Sequence, residues 1–580
     1  MTRFLLFLLF FQMAASVGCA ESLRMDIDGV DKELKSILAT GLDLPPGIVK
    51  NDQINQNWLN RYQQRLPQKV KDILEPYGYF YPQINTSVSR HADEFVLTVT
   101  VAAGEPLRVT SLDVKLRGPG ETDTGLQQAV AAFPLRVGDI LLQRSYEQGK
   151  STLQQEALDS GFLDADYSAH EIRVSLEKRT AAIVLTLNTG ARYRFGETRF
   201  SGEESYPDKF LRRFLSYNQG EKFSYRLLNQ SQLNFINADL FKTAAVRPLL
   251  GEKKDQVVPV LVELDPMPRH QLRPGIGYGT DTGGRLSLRY RNLNLLQRGH
   301  EFKGNILLAE RQQSLLSTYI IPDSRRIDSQ LLLHAGINRE DTDSYLSREL
   351  FGEIEYQRAL SKRLSGSLFI RYSSEFSRIA DEEDASELLL PGIRLAWTAV
   401  DDPLQGRRGF QAKLTLQGSQ QSVVSDTSLV QLIGQVTGLQ PLSENFSLLV
   451  RLQGGTTWLD DPFDTLPASL RFFAGGDKTV RGYAYQSLGP EDEDGNVVGG
   501  QHMLAASMEL ERRFFKDYGV AMFYDIGNAF NSFNDYELKQ GAGIGLRYYT
   551  RIGALRLDLA RQVGEPKNKY RVHFSVGIGW

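Results

Sequence analysis

The stretch Arg471-Phe-Phe-Ala-Gly-Gly-Asp-Lys-Thr-Val-Arg481-Gly-Tyr483 decides how the chain is read. It follows Trp458-Leu-Asp-Asp-Pro462 by a few residues, and acidic, Gly-rich sequence runs on from it to Gly500. On both sides lie runs of about ten residues with alternating polarity, the length and pattern of strands that cross a membrane. A connection of roughly forty residues far exceeds what a hairpin needs, so it is either functional or without fixed structure. Its centre carries aromatics, glycines and one Arg among small residues, a composition suited to packing. For the tripeptide alone, an ordinary surface loop is the plainer reading; the flanking sequence decides against it.

The chain has 580 residues, enough for several domains, and a net charge of -3. A nucleic-acid surface needs a clear basic excess, so no nucleic-acid partner is expected. Residues 1–20 read as a signal peptide: Arg3 is the positive start, Phe4 to Phe11 the apolar core and Gly18-Cys19-Ala20 the small-residue cleavage site. Cys19 suggests a lipoprotein signal, but Ser16-Val17-Gly18 fits one poorly, so cleavage after Ala20 is expected. That removes the only cysteine and with it any disulfide. No later run of eighteen apolar residues exists to form a membrane helix. An exported chain of mean hydropathy -0.31 is then either soluble or embedded as a β-barrel, whose alternating strands keep average hydropathy low.

From 21 to 265 the chain mixes helices and strands and repeats itself. Leu23 to Val30 reads as a strand, Lys32 to Leu38 and Asn57 to Leu74 as helices, and Ile84 to Ser89 and Phe95 to Val101 as strands. The same β-α-α-β-β order recurs with Val109 to Leu116, Thr124 to Ala132, Ser145 to Leu158, Tyr167 to Leu176 and Ala182 to Leu187. It recurs again with Arg194 to Phe200, Pro207 to Leu215, Tyr225 to Leu240, Val246 to Leu250 and Val257 to Leu264. Matching junctions, Ala103-Gly-Glu-Pro-Leu-Arg108 and Thr189-Gly-Ala-Arg-Tyr-Arg194, mark tandem modules with a period of about 80 residues. The expected boundaries are 21–103, 104–188 and 189–265.

Residues 266–580 read as sixteen strands, beginning near His270, Gly284, Glu301, Ser314, Ser329, Leu350, Leu364, Leu388, Gly409, Ser428, Phe446, His502, Gly519, Gln540, Ala554 and Tyr570. An even count suits a single-chain barrel. The C-terminus is the telling strand: Tyr570, Val572, Phe574, Val576, Ile578 and Trp580 are apolar at every second place. On the twelfth strand Leu504, Met508 and Leu510 alternate with Glu509 and Glu511; on the thirteenth Val520, Met522 and Tyr524 alternate with Phe523, Asp525 and Gly527. A charge facing lipid costs several kcal/mol near the midplane, about 2–4 for a cation and less for a carboxylate, so Glu509, Glu511 and Asp525 are expected in the lumen. Closing the barrel must pair the first strand with the last. Pro274 lacks an amide hydrogen, and Gly275, Gly277, Gly279, Gly577 and Gly579 weaken strands, so this join is expected to be the weakest and to act as a lateral gate.

Together these features resemble the BamA/TamA insertase superfamily of outer-membrane proteins. The three modules look like POTRA domains, small α+β sheets with two helices on one face, and the C-terminal strand resembles the terminal signal of outer-membrane barrels. Val480-Arg481-Gly482-Tyr483 resembles the family's Val-Arg-Gly-Tyr/Phe loop, here 460–501, which folds back into the barrel. Phe523-Tyr-Asp525-Ile-Gly527 matches a Phe-x-Asp-x-Gly strand motif whose Asp pairs with the loop Arg. Three modules resemble the TamA branch; BamA relatives typically have five, and two-partner-secretion transporters two behind a plugging helix. The resemblance implies a protein of the Gram-negative outer membrane, with POTRA domains in the periplasm, that helps insert autotransporters and other barrels. It implies a TamB-like inner-membrane-anchored partner, unfolded outer-membrane clients, membrane lipid and no cofactor. The alternative is a two-partner-secretion-type pore exporting a soluble protein.

An outer-membrane hydrolase is the third class, and its signatures are missing: there is no Gly-x-Ser-x-Gly and no His-Glu-x-x-His. Gln148-Gly-Lys-Ser151 ends like a phosphate loop, but Arg144 stands where its first Gly belongs. The seven histidines lack ligand spacing, and Asp401-Asp402 and Glu491 to Asp494 read as solvated loop tips. Neither catalysis nor a metal is expected.

Overall fold

A computed structural model describes residues 22–577, apart from 51–52, 92–93, 203–204, 381, 401–407, 516, 535, 551–552 and 567–568. The signal segment 1–20, Asp401-Asp402, and Ile578, Gly579 and Trp580 lie outside the described residues. The chain divides into two compact units: Met1–Arg199 with Tyr217–Gln230 and Val246–Leu261, and Phe200–Ser216 with Ser231–Ala245 and Val262–Trp580.

Each module is a three-stranded sheet whose last strand lies in the middle. In the first, Glu94–Ala102 sits between Ser22–Asp28, parallel to it, and Gln83–His91, antiparallel. Helices Lys32–Gly41 and Gln56–Leu74 start at Asp31 and Asn55, whose side chains accept the N–H of Leu34 and Trp58 and so satisfy donors that the first turn leaves free. Leu38, Leu66 and Val70 on the helices close over Leu97, Val99 and Val101, all fully buried. The second module repeats this with Thr180–Asn188 between Arg108–Arg117 and Asp166–Ser175, under helices Thr124–Ala131 and Gln143–Asp159. The third places Val257–Pro266 between Phe241–Pro248 and Arg194–Ser201, with helices Asp208–Arg212 and Tyr225–Ile236. Its penultimate strand starts five residues before the expected Val246, because Phe241, which ends the turn after the helix, is itself buried and on the ladder. The short pair Val49–Lys50 with Gln53–Ile54 had no counterpart in the sequence reading.

The second half closes into a barrel of sixteen strands, each antiparallel to the next in the chain. They are β1 His270–Gly279, β2 Gly283–Leu295, β3 His300–Ala309, β4 Gln312–Pro322, β5 Ser329–Asp341, β6 Tyr345–Ala359, β7 Leu364–Ile379 and β8 Glu382–Val400. The circle continues with β9 Gly409–Ser419, β10 Leu429–Pro441, β11 Phe446–Leu459, β12 His502–Phe514, β13 Tyr518–Phe530, β14 Lys539–Thr550, β15 Gly553–Val563 and β16 Tyr570–Gly577. Burial is inverted relative to a soluble protein. Ile276, Leu286, Leu368, Met522 and Leu546 are exposed, while Glu349, Glu353, Glu375, Glu509 and Asp525 are buried. An apolar outside and a polar inside are what lipid around a closed barrel requires.

Two strands begin earlier than expected, β6 at Tyr345 rather than Leu350 and β8 at Glu382 rather than Leu388. Their added residues, Tyr345-Leu-Ser-Arg-Glu and Glu382-Glu-Asp-Ala-Ser-Glu, are too polar to read as membrane strand. They nonetheless pair in unbroken register with β7. The ladder therefore runs on past the apolar stretch that made these strands legible.

Of the expected pairing of His270 to Thr280 with Tyr570 to Trp580, the described residues show one ladder pair, Gly279 with Ser575, and Ile578 to Trp580 lie outside them. On its other side β16 pairs continuously with β15, from Ala554–Gly577 to Arg561–Tyr570.

Candidate functional site

The long connection from β11 to β12 lies inside the barrel. Short bridges, Phe472–Gly500, Ala474–Leu488 and Glu491–Val497, fold it on itself. Ala474, Val480, Tyr483 and Leu488 form its buried core. Gly482 has φ +100°, a left-handed turn that a side chain would strain. Gly541 of β14 lets the loop touch the wall, since a Cβ there would lie 1.9 Å from the Arg481 carbonyl oxygen.

Arg481 is 1% exposed. Its Nε donates to Asp525 Oδ2 at 2.7 Å and its Nη2 to Asp525 Oδ1 at 2.9 Å, a bidentate fork. Nη1 donates to Glu509 at 2.8 Å and Asp558 at 3.1 Å, and Nη2 also to Ser507 Oγ at 3.3 Å. All five guanidinium donors are thus used. Asp525 Oδ2 also accepts the Arg481 backbone N–H at 3.1 Å. The Phe523 ring lies 3.4 Å from the guanidinium carbon, adding a cation–π contact. Arg547 of β14 shares the network, donating to Glu509 at 2.7 Å and to Asp558. Two guanidinia meet three carboxylates, and Arg451 also faces Asp525 and Glu509, so the buried charges are compensated, the condition under which they are tolerated.

The structure brings Val480, Arg481, Gly482, Phe523, Asp525, Gly527 and Glu509 together. Gly527 is needed for close strand packing, because a Cβ there would lie 2.7 Å from the Leu504 carbonyl oxygen. Tyr483 turns away and donates to Glu565 at 3.4 Å. Glu511 faces the lumen but does not reach Arg481; it accepts from the Tyr549 hydroxyl at 2.5 Å and Arg513 Nε at 3.2 Å. Pro274, Gly275 and Gly277 pair with Leu288, Ser287 and Arg285 of β2, and among the described residues Gly279 is the first-strand gate residue that pairs with β16. Gly577 pairs with Ala554 at the end of β16. Tyr570 and Val572 face outward, while the Phe574 ring lies tilted, 6.2 Å from that of Tyr278 across the join, and Val576 is half-buried.

Sequence reasoning missed Ser507 and Asp558 as partners of Arg481, and Arg547 as the second cation of the network. Their inward slots were visible in the alternation, as in Leu557-Asp558-Leu559. Which lumen groups meet the loop depends on strand register, which one strand's pattern does not contain. A second lumen network was also missed. Arg371 donates to Glu349 at 2.5 Å, and Arg394 donates to Glu355 at 2.7 Å. His334, Glu353 and Glu355 present ligand atoms within 4.8 Å of one another, but the Arg394 guanidinium already sits against both carboxylates.

A closed lipid-facing barrel with a docked loop, preceded by small α/β modules, defines the class of POTRA-bearing outer-membrane barrels. The barrel lies in the outer membrane and the POTRA modules in the periplasm. Residues 294–580 match the Omp85 superfamily domain, and residues 24–103 match the POTRA domain described as TamA domain 1. Among curated proteins, the outer membrane protein assembly factor BamA of Nitratidesulfovibrio vulgaris is 21% identical over 444 residues, 72% of this chain. That alignment spans 56% of the relative, so the chain covers about half of its length. BamA of Buchnera aphidicola subsp. Acyrthosiphon pisum is 21% identical over 143 residues, 25% of this chain and 23% of that one. Among solved structures, BamA from Haemophilus ducreyi lacking POTRA domains 1–3 has the same fold, with a TM-score of 0.69, 17% identity, and coverage of 82% of this chain and 100% of that one.

Proposed function

We propose that the protein is an outer-membrane assembly factor of the TamA kind. It helps insert or translocate autotransporters and other barrel proteins through a lateral gate at the β1–β16 join, and it works with a TamB-like, inner-membrane-anchored periplasmic partner. The observation that carries this reading is the join itself, where the described residues show one ladder pair while the other side of β16 is paired continuously. Parting it exposes two strand edges in the membrane, where unpaired backbone groups are costly, so an incoming strand adds there readily. The protein then works by templating, with no covalent chemistry. The match of the first module to a TamA-type POTRA supports the branch. The outer strands of the module sheets, such as Gln83–His91, offer edges for an extended partner segment.

The test is reconstitution of the full chain in liposomes, followed by addition of an unfolded barrel client. Faster client folding than in empty liposomes supports the reading. Unchanged folding together with high ion conductance in planar bilayers would replace it with an export pore.

A further inference from the structure

The β1–β16 join is bridged from inside the barrel. Beside the Gly279–Ser575 pair, Thr280 N–H donates to Phe574 O at 3.0 Å and Phe574 N–H to Thr280 Oγ1 at 3.3 Å. The next residue, Asp281 in the β1–β2 turn, is 5% exposed. One of its carboxylate oxygens accepts the N–H of loop residue Asp477 at 2.6 Å, and the other lies 3.7 Å from His573 Nδ1. His573, on β16 and equally buried, accepts the N–H of loop residue Gly482 at Nε2, 3.1 Å away. One short piece of loop thus grips the β1 side of the join at one end and the β16 side at the other. Between those grips Arg481 fixes the piece to β12, β13 and β15. Local shape fits this role. Gly476, at φ +102°, approaches so closely that a Cβ would lie 2.5 Å from Asp281 Oδ2.

We propose that loop residues 477–482 staple the join shut, with Asp281 and His573 as the positioning residues that receive the two ends, so that β1 and β16 part only after the loop withdraws. Both acceptors are buried in the docked state, so losing either partner leaves a buried polar group unsatisfied, and staple and loop docking stabilise each other. The staple is a property of the barrel alone. Only its use as a gate control rests on the insertase reading, and the experiment below reads the join with no client present, so either can fail without the other.

The full chain, with Cys19 replaced by Ser, carries Gly279→Cys and Ser575→Cys across the join. Directly paired antiparallel residues lie at a separation a disulfide spans. A control pair, Leu559→Cys and Val572→Cys, reports on the continuous β15–β16 ladder. Asp281→Ala or His573→Ala should slow disulfide formation across the join several-fold, up to about tenfold, the scale of one lost hydrogen bond. The control pair should not change. Asp281→Asn and His573→Gln keep an acceptor and should restore most of the rate. Unchanged crosslinking in the alanine variants, or equal slowing in the conservative ones, overturns the proposal. A second arm leaves both residues intact. Ser344 Oγ donates to the Gln486 carbonyl at 2.7 Å, so Ser344→Cys with Gln486→Cys pins the loop by its far arm. Pinning should reduce maleimide labelling of a single Gly279→Cys several-fold by suppressing opening; unchanged labelling overturns the proposal too.

Discussion

At the scale of the residue, the site turns on Arg481. Replacing it with Ala leaves Asp525 without its bidentate partner, while Arg547 still holds Glu509 and Asp558. Breaking a buried charge network by removing one partner costs about 3–5 kcal/mol. Arg481→Ala should therefore release the loop while the strands stay formed, seen as new proteinase K cleavage between 477 and 490 with unchanged heat-modifiable migration. Arg481→Lys should rescue little, because an ammonium lacks the fork that meets Asp525 at two points. Asp477 makes docking sensitive to pH. Burial, and then the neighbouring Asp281 charge, push its carboxyl up to about 6. Burial alone would raise Asp281 as well, but the neighbouring His573 ring and the hydrogen bond from Asp477 hold it below the ordinary range. Lys478 and Arg451 also face Asp477 and favour its charged form, without outweighing burial. The sign follows: the docked loop binds a proton that a free loop has already lost, so docking weakens as pH rises from the ordinary carboxylate range through about 6. Loop protection from protease should be stronger at pH 5 than at pH 7.5, and Asp477→Asn should flatten that difference.

At the scale of the element, strands were legible and the loop's partners were not. Period-2 alternation is a property of one strand in its environment, so β9, β12, β13 and β15 could be read from residues such as Leu414, Met508, Met522 and Leu557. Where the environment changes, the signal fades: the polar starts of β6 and β8 precede the apolar alternation that begins near Leu350 and Leu388. Contacts across the lumen, such as Asp281 with Asp477, join residues far apart in sequence, and no periodicity encodes them. Small residues record these approaches without naming the partner. Gly541 looks like any strand glycine until the loop is seen against it. Gly541→Val should undock the loop without altering a charge, giving the protease pattern of Arg481→Ala while β14 keeps its pairing. An unchanged pattern would mean that the wall yields and that the close approach does not govern docking.

At the scale of the whole molecule, two kinds of architecture meet in one chain, and each follows from its solvent. The modules bury Leu97, Leu185 and Val260 in water-facing sheets, whereas the barrel turns Leu368 and Met522 out to lipid and Asp525 in. Module repetition and the barrel were both legible, because each depends on pattern; the particular partner of the modules is not a matter of pattern. Deleting residues 22–103 should leave a barrel that inserts and runs normally on gels but no longer co-purifies a TamB-like protein. Full co-purification after that deletion would move the docking surface to the later modules. The central claim is that client strands enter at the β1–β16 join. The most direct measurement is the rate of client barrel assembly in liposomes by the Gly279→Cys/Ser575→Cys variant, oxidised and then reduced. The account predicts that the oxidised, locked barrel assembles clients no faster than empty liposomes and that reduction restores the rate; a locked barrel that assembles clients at the full rate would contradict it.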